Sequence, residues 1–135
     1  MRGFWKNAGG ANFVEFSLVA PFLVLLTVGI IDFGRAMWTS TTIEHVARES
    51  ARYASLHGAD SVSVATETSV QSYAGDRATG LDTGAMNITV TWAGNSNATG
   101  SSVTVEVDYD FDLLLTGFFG IAPVTLESSS TMVIL

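Results

Sequence analysis

The polar and apolar positions divide the chain into three regimes. From Phe16 to Ile31 every residue is uncharged and most are apolar, and between Ala11 and Ile31 the only charge is Glu15. About 20 apolar residues span a bilayer at ~1.5 Å rise each, so 11–33 reads as a transmembrane segment. The period then becomes helical and amphipathic: Ile43, Val46, Ala47, Ser50, Tyr53 and Ala54 recur three and four residues apart, one apolar stripe. Asp32/Arg35 and Glu44/Arg48 stand at pairing distance on such a helix. A near-continuous helix from about Phe13 to Leu56 follows, with His57-Gly58 as its end and glycine as a left-handed cap.

Beyond Gly58 the spacing predicts a second helix, capped by Asp60 or Ser61, with Val62, Ala65, Val70 and Tyr73 on its apolar side and Gly75 as its stop. The period next falls to two. Met86, Ile88, Val90 and Trp92 alternate with Asn87, Thr89 and Thr91; Val103, Val105, Val107, Tyr109 and Phe111 alternate with Thr104, Glu106, Asp108 and Asp110. The turn-rich 94–100 segment joins them as an antiparallel hairpin, and Val124–Leu135 makes a third strand. The fold class is therefore α+β, a long stalk helix packed on a small antiparallel sheet. The chain divides into a leader (1–10), a transmembrane segment (11–33), a stalk extension (34–57) and a head (58–135).

Composition narrows the function. Among 135 residues there are six cations, thirteen acids and no cysteine. Nucleic acid is not an expected partner, because phosphate binding needs clustered cations. Disulfides and thiolate sites are excluded. No Gly-rich phosphate loop or Ser/His/Asp constellation can be placed, so no catalytic residue, cofactor or metal is expected and the chain reads as a non-enzyme. Asp108-x-Asp110-x-Asp112 begins like a calcium loop, but Leu113 stands where that loop needs glycine. Strand alternation explains the spacing without an ion, and outward acids discourage edge pairing. His45 and Glu49 could supply half a metal site, but a surface hydrogen bond or a place at the stripe edge explains them better. The uncharged run Leu113–Ile121 is too short to span a membrane. It reads either as a loop closing the core or as an apolar patch for a partner subunit or the membrane surface.

The most informative feature is Gly10-Ala11-Asn12-Phe13-Val14-Glu15-Phe16. A lone acid in a lipid-bound segment costs about 2.5–3.5 kcal/mol near the membrane centre and less near the interface. Cleavage after Gly10 would create a partner for it, the α-amino group of Ala11 on this or a neighbouring subunit. Pro21 removes a helical donor and frees the Ser17 carbonyl, giving either a simple kink or a local melting point.

With Val14–Pro21 and Gly29–Ala36, this stretch closely resembles the TadE-like family of Tad (tight adherence, Flp) pilus systems, over roughly Gly9 to Ala54. The resemblance implies a minor pilin or pseudopilin. Gly10 and Ala11 would be its processing residues, and Glu15, Phe16 and Pro21 its assembly residues. Prepilin peptidase, other pilin and pseudopilin subunits, the Tad assembly platform and membrane lipid are the implied partners. Arg2 and Lys6 before the apolar run and Asp32 after it put the N-terminus in the cytoplasm. The expected location is a bacterial inner membrane, single pass, with the head outside and possible entry into a surface pilus. A plain anchor carrying an extracytoplasmic binding module is the alternative. A secretory signal peptide fits poorly, because the run is long and no Ala-x-Ala follows it.

Overall fold

The computed structural model describes residues 8–135. The first helix, α1, runs unbroken over Ala8–Leu56, about 74 Å at 1.5 Å per residue. It is already helical at Ala8, the first described residue, N-terminal to the expected Phe13; the cations of the leader, Arg2 and Lys6, lie outside the described residues. Pro21 sits inside it without dividing it. This helix is long and apolar enough to cross a membrane, and among the described residues nothing else covers its lower part.

Only the upper part of α1 is packed. Ile43, Val46, Ala47, Ser50, Ala51 and Ala54 are buried along one stripe, the predicted face with Ala51 added. Tyr53 stands at its edge, half-buried. The small side chains let the helix lie close to a three-stranded antiparallel sheet of order β1–β2–β3: Met86–Trp92, Ser102–Phe111 and Val124–Val133. Val103, Val105, Val107 and Phe111 of the central strand are buried toward the helix. Opposite Val105 and Val107 the third strand places Ser130 and Ser128.

The second helix, α2, is Glu67–Arg77. Neither Asp60 nor Ser61 caps it, and Gly75 does not stop it. Thr66 does the capping: the Ser69 amide donates to Thr66 Oγ1 at 3.2 Å, and the Thr66 amide donates to Ser69 Oγ at 2.9 Å, a reciprocal pair at the N-terminus. Residues 58–65 are loop. Ala65 is buried because its amide donates to the His57 carbonyl at 2.8 Å, whereas Val62 is fully exposed rather than on an apolar helix side. Val70 and Ala74 dock α2 on the core.

Gly58 ends the stalk for a reason other than handedness. Its φ is not positive, but a Cβ there would sit 2.5 Å from Ile134 Cγ2. The chain entering the loop and the chain leaving β3 meet at this point. The expectation that acids on β2 guard a sheet edge is also corrected: β2 is the central strand, paired on both sides.

Candidate functional site

The helix lays out the predicted processing and assembly residues by its own geometry. Ala11 and Glu15 are four apart, one turn along the same face. Phe13, Phe16, Ser17, Ala20, Pro21, Val24 and Leu25 line a shallow apolar groove. At about 100° per residue this groove lies on the side of the helix away from Ala11 and Glu15. Phe13 and Phe16 are largely exposed. The Ser17 hydroxyl donates to the Phe13 carbonyl at 2.8 Å, so it does not serve the Ser17 carbonyl freed by Pro21. Gly10 has open space around it. Two surfaces are thus present, an acidic one around Glu15 and an apolar one around Phe16 and Pro21.

A second centre forms where the apolar run ends. Asp32 is 3% exposed. Its Oδ1 accepts from the Leu114 amide at 3.0 Å, and its Oδ2 accepts from the Leu115 amide at 3.4 Å. Arg35 Nη1 donates to Asp32 Oδ1 at 3.1 Å, the pairing expected from their spacing. The same guanidinium sits 5.1 Å from the Phe111 ring centroid and donates to the Asp112 carbonyl at 3.5 Å. A buried carboxylate is tolerable when donors surround it, and here they are two backbone amides and a guanidinium. Asp32 therefore ties the segment after β2 to the C-terminal end of the apolar run. Part of this was visible in sequence as an acid beside the run; its partners, more than eighty positions away, were not.

Other residues raised by the sequence have structural roles. His57 Nδ1 lies 2.8 Å from the Tyr53 carbonyl. Tyr53 stacks on Tyr73 at 4.4 Å, and Arg77 lies over Tyr73 and reaches Glu49 at 4.0 Å. This chain of contacts fastens α2 to α1 and gives Glu49 a partner other than His45. Asn97 braces the loops: its side-chain amide donates to the Ala65 carbonyl at 3.1 Å and its backbone carbonyl accepts from the Ala59 amide at 2.7 Å. On the outer sheet face Glu106, Asp108 and Glu127 border an open polar depression, and Thr125 donates to Asp110 at 2.9 Å. Among the described residues no group of three His, Cys, Asp or Glu is placed to hold a metal ion.

The arrangement is that of a stalk-and-head protein whose N-terminal helix is long and apolar enough to cross a membrane. A more particular statement comes from family comparison. The model of the TadE-like protein family matches residues 10–52, from the glycine before Ala11 to the last turn of the stalk. No curated protein and no solved structure matches the chain. The match stops before α2 and the sheet, so the head has no counterpart among the comparisons.

Proposed function

We propose that this protein is a minor pilin or pseudopilin of a Tad-type pilus, cleaved by a prepilin peptidase between Gly10 and Ala11 and then built into, or priming, a surface filament. Its role is structural rather than catalytic. The observation that carries this reading is the TadE-like match over residues 10–52, which opens on Gly10 and includes Glu15-Phe16 at the start of an apolar helix. Helix physics supports it. Gly9 and Gly10 each cost a helix about 1 kcal/mol relative to alanine, so the turn holding the scissile bond opens readily for a peptidase. Cleavage there leaves a chain with four arginines against thirteen acids and a free amine one turn from Glu15. The head would stand outside the inner membrane, where pilin partners and the assembly platform meet it.

Mass spectrometry of the N-terminus of protein from cells with an active pilus system tests the reading. A chain beginning at Ala11 is expected, and Gly10→Glu should leave the full-length precursor in the membrane. Native protein that still carries Arg2 and Lys6 would sink it, in favour of an anchored module never processed for a filament.

A further inference from the structure

The segment between β2 and β3 is unlike the rest of the head. From Leu113 to Leu126 it has no charged residue. It contains one short turn, α3, Thr116–Phe119. Leu114, Phe119 and Ile121 expose 50%, 59% and 46% of their surface, where a core-closing loop would bury them.

Its height is fixed by Asp32, which directly follows the run ending at Ile31 and accepts the Leu114 and Leu115 amides. The exposed apolar residues at the same level of α1 are Ile30, Ile31 and Phe33. Backbone that enters a lipid interface must have its polar groups satisfied. Here most backbone donors of the turn are met: Leu114 and Leu115 donate to Asp32, Thr116 donates to the Leu113 carbonyl at 3.0 Å, and Phe119 and Gly120 donate to Leu115 and Thr116 at 3.1 and 2.9 Å, whereas the buried Thr116 hydroxyl has no partner among the described residues. Trp38, half-exposed and six residues further out on α1, stands where aromatic side chains anchor a protein at the headgroups.

We propose that the apolar segment 113–121 is a membrane foot: it rests in the headgroup and upper acyl layer of the outer leaflet beside α1. The occupant of the patch is the lipid interface, an extension of the lipid-facing surface of the span. The foot holds the head against the membrane at one height and tilt. The inference rests on α1 spanning the membrane, and the test separates the two.

The chain has no cysteine, so single labels can be placed freely. The full chain, reconstituted in phosphatidylglycerol/phosphatidylcholine nanodiscs, is labelled with an environment-sensitive fluorophore in separate Phe119→Cys, Ile121→Cys, Thr91→Cys and Leu25→Cys variants. Quenching is measured with aqueous iodide and with lipids carrying a doxyl group near the headgroup. The Phe119→Cys and Ile121→Cys labels should be quenched by the lipid-borne group and be several-fold less sensitive to iodide than the Thr91→Cys label on the outer sheet face. Equal iodide sensitivity at all three head sites, with the Leu25→Cys label buried in lipid, would overturn the foot and leave the span standing. Shielding from iodide without lipid quenching would also overturn it, because another protein copy would then cover the patch. A Leu25→Cys label open to iodide would remove the span and the foot together.

Discussion

Asp32→Ala removes a single carboxylate, and the structure sets what depends on it. Two backbone amides, of Leu114 at 3.0 Å and Leu115 at 3.4 Å, lose their acceptor. Leaving a buried donor unpaired costs about 1–3 kcal/mol, and the longer bond belongs at the bottom of that range. The Arg35 guanidinium is 45% exposed on its side chain, so solvent limits the ion pair to about 0–1 kcal/mol. Together these give ~2–5 kcal/mol, confined to the segment after β2. Local opening should therefore rise about 30- to 5000-fold, at 1.36 kcal/mol per tenfold. Hydrogen exchange of the full chain in detergent micelles reads this directly, on peptides covering 112–121. Asp32→Asn keeps one acceptor oxygen without the charge and should fall between wild type and Asp32→Ala. Amides of the central strand, held on both sides by the sheet, should exchange as before. A change of less than about threefold in 112–121, equivalent to ~0.6 kcal/mol, would mean that Asp32 does not hold this segment.

Three further outcomes are expected. Gly58→Ala forces a methyl group against Ile134 Cγ2 and should destabilise the head by about 1–3 kcal/mol in chemical unfolding; because Ile134 is itself buried in the core, Ile134→Ala should cost less in the Gly58→Ala chain than in the wild type, and an unchanged midpoint for Gly58→Ala would refute the close approach. Protease added to intact spheroplasts should remove the region after Arg35, whereas full protection would reverse the proposed topology. Glu15→Gln keeps size and removes the charge, so it should leave processing at Gly10 largely intact yet reduce pilus number and co-purification of this subunit. Normal values for both would rule out a register role for the carboxylate.

Much of the fold was legible because its signals are local and periodic. The apolar run, the three-and-four spacing through Ala54 and the alternation of β1 and β2 each name an element without reference to the others. The failures lie where two distant parts of the chain decide. Several hydroxyl and acidic residues precede α2, and any could cap it. Thr66 does, because His57 and Asn97 capture Ala65 in the loop before it. Gly58 is legible as a glycine, but its need comes from Ile134, at the far end of the chain. The acids of β2 mark alternation correctly, yet that strand becomes central only once Val124–Val133 pairs beside it. The pairing of Asp32 with Arg35 follows from spacing; its two amide partners follow from tertiary structure alone.

The two halves of α1 are satisfied in different ways, and this bears on the proposal that the chain enters a filament rather than standing as a solitary anchor. The upper half buries one stripe against the sheet and α2. Among the described residues the lower half is not covered, and its two distinctive surfaces face opposite ways: Ala11 and Glu15 on one side, the groove of Phe13, Phe16 and Pro21 on the other. Lipid suits the groove but not the carboxylate, whose desolvation is offset only by a nearby cation or donor. A partner helix on one side alone could engage the acid or the groove, not both. A subunit with neighbours on two sides engages both at once, presenting its groove to one and its charge to another. In that arrangement the charge selects the stagger, because only one axial offset brings a carboxylate to an amine, while the groove supplies contact area that tolerates several. In the proposed filament, the placement of Glu15 away from Phe16, though adjacent in sequence, would let one short segment do both.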